Sequence, residues 1–148
     1  MSNKYKFKLD GLLKLRKFKE QQLKVQLGEL VKEITFVEGE IAKAHAHIDE
    51  TYTAQEDVIS DEADGRMIRF FPYYLQGKRE DIKAKESYLF ALKKKYEIKL
   101  GEVREAMGEA KVIEKMKEND FKDYKSKRDK KMQENIEELI QIRREVRK

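Results

Sequence analysis

The chain has no cysteine and no tryptophan, a single proline, Pro72, and two histidines, His45 and His47. Without cysteine there is no disulfide and no thiolate chemistry, so neither a thiol-based redox centre nor a Cys/His zinc finger can be built. No run approaches the ~18 consecutive apolar residues of a membrane span, and Met1 to Lys19 lacks the apolar core of a signal peptide. A cytoplasmic protein is therefore expected, one that meets a membrane only at its surface. Two histidines two apart on a helix point to different faces, which argues against a shared metal site. There is no glycine-rich phosphate loop, no G-x-S-x-G and no nucleophile beside a base. No enzyme, no cofactor and no metal is expected.

What the chain has in abundance is charge: 43% of its 148 residues are Asp, Glu, Lys or Arg, against 39% hydrophobic. That is too little apolar material for a compact interior and enough for a narrow seam. The seam is visible as Leu23, Leu27, Leu30, Ile34, Val37, Ile41, Ala44 and Ile48, with gaps of four and three alternating. Such gaps average 3.5 residues, and the stripe stays on one face only when the helix supercoils around a partner. Thr51, Gln55 and Val58 continue it. A second series follows: Leu75, Ile82, Leu89, Leu92, Tyr96, Val103, Ala106, Ala110 and Ile113.

Between the two series, Ser60, Asp61, Asp64 and Gly65 gather breaker and capping residues, and Pro72 suits the first turn of a new helix. The reading is an all-α protein, two long helices in an antiparallel coiled-coil hairpin, the second longer than the first. The boundaries expected are helix 1 at about 5–59, loop at about 60–72 and helix 2 at about 73–146, in a single coiled-coil domain spanning 1–148. Met116, Phe121, Tyr124 and Met132 leave the register as a local stutter before Ile136, Leu139 and Val146 resume a seam. Roughly the last 20 to 30 residues have no intrachain partner and must stand free, fray or meet another molecule.

Charge is unevenly distributed. Residues 1–25 carry eight basic and two acidic residues, residues 26–66 three and eleven, and residues 67–148 twenty-three and sixteen. A hairpin is expected to gather the basic ends at one pole and favour an acidic partner there. Glu and Asp between the lysines, and the absence of any base-reading signature, argue against nucleic acid. Tyr5, Phe7, Leu9, Leu12, Leu13, Leu15 and Phe18, interleaved with lysines, are read as an early start of the seam, with a basic amphipathic membrane segment as the other reading. Around the turn, Met67, Ile68, Phe70, Phe71, Tyr73, Tyr74 and Leu75 form either an aromatic plug or a patch that binds another protein.

The opening pattern Phe7, Leu9, Leu12, Leu13, Leu15, Arg16, Lys17, the stretch Phe71-Pro-Tyr-Tyr-Leu-Gln with Ile82 following, and the run Glu109-Ala-Lys-Val-Ile-Glu-Lys-Met-Lys-Glu resemble the FliJ family. These are the stalk proteins of the bacterial flagellar type III export apparatus. Tyr124, the basic run after it and Gln133, Ile136, Glu138 and Leu139 are similar to the family's closing elements, although Met132 stands for an acid and Glu137 for an aspartate.

The resemblance implies a stalk without catalysis, like that of rotary ATPases, inserted by its paired ends into a hexameric export ATPase to promote its assembly and activity. It also implies contact with the membrane export gate and with export chaperones, at the cytoplasmic face of the inner membrane at the flagellar base, without stable self-association. Lys14, Arg16, Lys17, Lys19, Arg128, Lys130 and Lys131 are the expected ATPase contacts. Phe71, Tyr73, Tyr74 and Leu75 are the expected gate contacts. A stalk of a virulence type III injectisome shares this architecture, and a prefoldin-like coiled-coil chaperone is the alternative from another class.

Overall fold

The computed structural model describes residues 4–60 and 65–147. Two helices make up nearly all of it: α1, Asp10–Ser60, and α2, Gly65–Val146. They run antiparallel as a hairpin. The cross-helix partners fall in number on α2 as they rise on α1: Gln26 with Lys99, Glu33 with Tyr88, Glu40 with Lys85 and Tyr52 with Arg79. Contacts group into two units, Leu23–Glu102 and Met1–Gln22 with Val103–Lys148.

In Leu23–Glu102 the expected seam is the buried one. Ala44, Ile48, Leu75 and Ile82 form its core cluster, with Ile41 packed on it. Every member of the first series from Leu23 to Val58 is buried or half-buried. Heptad spacing puts these side chains on the inner face, and removal of each from water supplies the association energy. Thr51 is the polar exception: it is buried, and its hydroxyl donates to the His47 carbonyl at 2.7 Å, one turn back. Four lysines also occupy seam spacings on α2, Lys78, Lys85, Lys99 and Lys117, all half-buried. Their aliphatic stems line the seam while their ammonium groups reach out of it.

In the other unit the small side chains of Ala106 and Ala110, with Val103, Ile113 and Leu13, are buried. Arg16 to Glu109 at 2.6 Å, Lys17 to Glu114 at 2.8 Å and Lys117 to Asp10 at 2.9 Å tie α1 to α2 beside them. Beyond Tyr124 all described residues are exposed, from 125 to 147. The surplus that the unequal arms imply is thus a solvated continuation of the helix. Ile136, Leu139 and Val146 make no seam within the described residues.

Two boundaries differ from expectation, the starts of α1 and α2. α1 begins at Asp10, not near residue 5. Residues 4–9 are not helical, and their exposure alternates, with Lys4, Lys6 and Lys8 exposed and Tyr5, Phe7 and Leu9 half-buried. A period of two belongs to extended chain and not to a helix. The Asp10 amide donates to the Phe7 carbonyl at 3.2 Å to make the turn into the helix, and the Asp10 carboxylate sits in the first turn, where the helix dipole favours it.

α2 begins at Gly65, not near 73, so the expected loop over 60–72 is mostly helix; Asp61 and Asp64 lie outside the described residues. Pro72 falls inside α2 instead of opening it. It cannot donate to the Ile68 carbonyl, at a cost of about 3 kcal/mol. Phe71 and Leu75, one turn apart, are 8% and 6% exposed. Their burial, about 1.5–3 kcal/mol each, is of the size needed to keep the helix going through the proline.

Candidate partner-binding surfaces

The basic residues expected to contact a partner divide into two groups. Those on α1 are engaged within the chain. Arg16 and Lys19 both reach Glu109, at 2.6 and 4.0 Å. Lys17 bonds Glu114 at 2.8 Å, and that hydrogen bond holds its ammonium above the ordinary lysine range. Lys14 stands 3.9 Å from Asp10 and is otherwise in solvent. Arg16, Lys17 and Lys19 thus tie α1 to α2, and Lys14 does not.

Those on α2 are free of that duty. Among the described residues Arg128 pairs with its neighbour Asp129, at 3.6 Å, while Lys130 and Lys131 are exposed and form no ion pair. Tyr124, Lys127, Arg128, Lys131 and Met132 line one shallow depression of about 450 Å³. The two groups do not meet at one pole. Arg16 is held at Glu109 and Arg128 lies 19 residues further along α2, about 28 Å at 1.5 Å per residue.

What stands beside Tyr124 is instead the non-helical start of the chain. The Tyr5 ring packs on Phe121, centroids 5.1 Å apart, and on Tyr124 at 5.2 Å. Its hydroxyl donates to the Asp120 carboxylate at 2.7 Å. Loss of solvent around the ring, then the bond to Asp120 and the charges of Asp120 and Asp10, push its pKa up to about 12. Lys4, Lys6 and Lys8 thereby sit exposed next to the α2 segment that carries Lys122 and Lys125. These three lysines are absent from the expected contacts. The strict alternation Lys-Tyr-Lys-Phe-Lys-Leu over residues 4–9 is the signal that reveals them.

The aromatic stretch divides as well. Phe71 and Leu75 belong to the inner face, so they are the floor of this surface and not its contact layer. Tyr73 is 79% exposed, and Phe70 stacks on Tyr74 at 5.7 Å with the Lys78 ammonium 5.6 Å from the Tyr74 ring. With His47, Glu50, Thr51 and Ala54 from α1, Phe70, Phe71, Tyr74 and Lys78 line a shallow depression of about 380 Å³. Phe70 enters the contact layer that the sequence assigned to Phe71, because helical rotation puts one of two adjacent phenylalanines inside and the other outside.

Among the described residues no group of His, Asp and Glu is placed to hold a metal ion, and no helix is long and apolar enough to cross a membrane. His45 and His47 are both exposed. The class that fold and surface define is an antiparallel helical hairpin with a solvated extension of its second helix. No family model, no curated protein and no solved structure matches the chain.

Proposed function

We propose that the chain is a non-catalytic stalk component of a bacterial flagellar type III export apparatus, promoting assembly and activity of a hexameric export ATPase and linking it to the export gate and export chaperones. The observation that carries this reading is the exposed run of α2 over 125–146, a continuous helix with basic and apolar side chains and no partner inside the hairpin among the described residues. A helix that long, built of ordinary helix-forming residues but left in water, gains stability when another molecule covers it. The residues available to an acidic partner are Arg128, Lys130 and Lys131, joined by Lys4, Lys6 and Lys8. Arg16, Lys17 and Lys19 act behind them by holding the hairpin closed, while Lys14 pairs only within α1. At the aromatic surface, Phe70, Tyr73 and Tyr74 form the layer offered to the gate component, on the support of Phe71 and Leu75.

The test is ATP hydrolysis by the cognate export ATPase, titrated with the chain and with Arg128→Glu/Lys130→Glu/Lys131→Glu. Stimulation by the parent chain that the variant loses, with the variant's melting temperature unchanged, supports the stalk reading. Absence of stimulation by either, where the ATPase forms hexamers, rejects it. The prefoldin-like reading draws on a different feature, the exposure of Met132, Ile136, Leu139, Ile140 and Val146. It requires a multimer of the purified chain, which light scattering measures directly; the stalk reading requires a monomer or at most weak association.

A further inference from the structure

The face of α2 that packs on the start of the chain continues past its covering. Lys117 on that face is bonded to Asp10, and the Tyr5 ring covers Phe121 and Tyr124. From Arg128 the same line runs on through Met132, Asn135, Leu139, Ile142 and Val146 by alternating fours and threes, the step of four before Arg128 being doubled once as a stutter. Nothing among the described residues covers this stretch: Met132 is 60% exposed, Leu139 66% and Ile142 56%. A line of fours and threes left in water is one half of a helix pair.

The charges beside the line specify the other half. Asp129 and Arg143 flank it on one side, Lys131 and Glu145 on the other, so the four read minus, plus, plus, minus along the chain. That order is the same from either end. A second copy laid antiparallel over 128–146 therefore sets Asp129 against Arg143 and Lys131 against Glu145, each pair occurring twice about the two-fold axis. Met132 then shares a layer with Ile142 of the other copy, Asn135 with Leu139, and Ile136 meets Ile136. One contact opposes the arrangement, Glu138 against Glu138 close to the axis. Within its own chain Asp129 stands 3.6 Å from Arg128, while Lys131, Arg143 and Glu145 form no ion pair among the described residues.

Orientation follows from continuity with the covered face. A parallel copy would have to run where α1 and Tyr5 already lie. An antiparallel copy overlaps only the bare stretch, about 27 Å at 1.5 Å per residue, and stays clear of the Tyr5 contacts.

We infer that residues 128–146 form a self-complementary surface whose occupant is a second copy of this chain in antiparallel alignment. The association is weak, because a helix of this length presents roughly ten residues to its partner, against about 20–30 a side in a stable interface. The pair forms at high concentration and yields to a tighter partner. Arg128 and Lys131 lie inside it, so self-pairing and binding of the acidic partner proposed above exclude each other. The inference draws only on this chain's own charges and stands whether or not the chain is an export stalk.

Sedimentation of the purified chain over about 1–300 µM is expected to show a reversible monomer–dimer equilibrium. Two swaps that preserve net charge test the alignment, Asp129→Lys/Lys131→Glu and Arg143→Glu/Glu145→Lys. Each alone sets like charge against like at every edge pair and raises the dissociation constant about tenfold. Mixed one to one, the two variants regain all the pairs and return to within about threefold of the parent. Glu138→Gln removes the opposing contact and tightens the pair about two- to threefold. Circular dichroism checks that each variant keeps its helix. Because the chain has no native thiol, Met132→Cys and Ile142→Cys chains, mixed and oxidised, cross-link to each other in an antiparallel pair and to their own kind in a parallel one. A parent chain that stays monomeric throughout leaves the surface to the acidic partner alone and overturns the inference, without bearing on the ATPase assay. Swapped chains that pair as well as the parent, a mixture that fails to pair, or cross-links of like with like overturn it equally.

Discussion

Side by side on α2, Phe70 is exposed and Phe71 is buried, and the two positions carry different consequences. Phe70→Ala removes contact surface without opening the hairpin, so the melting temperature stays within about 2 °C, the shift that ~0.5 kcal/mol produces. Among core positions, Ile82→Ala costs about 2–5 kcal/mol, the usual range for a buried isoleucine, whereas Ile140→Ala, in the solvated run, costs roughly nothing. Urea denaturation of both variants checks the pair. Gly39 and Gly101 lie inside helices with open space where a Cβ would stand. Alanine at either relieves the entropy cost of helical glycine and stabilises by about 0.5–1 kcal/mol each, which thermal melts resolve.

At the scale of elements, the chain start and α2 depend on each other through Tyr5. Its phenol is held neutral in the folded state, with a pKa about 12 against 10.0 for the free side chain. The folded form therefore binds more protons than the unfolded form between those values. The Tyr5 contribution is complete below pH 10 and disappears as pH rises toward 12. Tyr5→Phe keeps the ring packing and removes that decline, so the stability difference between parent and variant should change sign or shrink across about pH 9 to 12 in chemical denaturation. At the acid end the Lys117 ammonium bonded to Asp10 holds that carboxyl below its usual range. Its contribution is present above about pH 4 and is lost as pH falls through the lowered value. Asp10→Asn flattens that acid limb, measured by the same denaturation at about pH 2 to 5.

For the molecule as a whole, helix content and protection from solvent part company. Residues 125–146 are helical, yet nothing within the described chain covers them. Their amides are expected to exchange hydrogen by local fraying, far faster than those near Ala44, Ile48, Leu75 and Ile82, which open only with the hairpin. Hydrogen exchange read by mass spectrometry resolves the two classes. Protection of 125–146 on adding the export ATPase would follow from the proposed function, and the same segment left fast would count against it.

Heptad spacing made the hairpin legible before any coordinates, because period is a property of sequence and the inner face follows from it. Every seam position named from Leu23 to Ile113 is buried or half-buried. The solvated end of α2 followed too, from arms of unequal length. Other features depended on which contacts form at a distance. Pro72 reads as a helix start, and only the burial of Phe71 and Leu75 against α1 keeps it inside α2. Arg16, Lys17 and Lys19 read as an open basic surface until Glu109 and Glu114 are seen opposite them. Sequence alone thus determined the class of fold and the identity of its inner face, since both follow from local periodicity. The tertiary structure decided which charges are consumed in holding the helices together and which remain for a partner, since that depends on what each side chain meets across the seam.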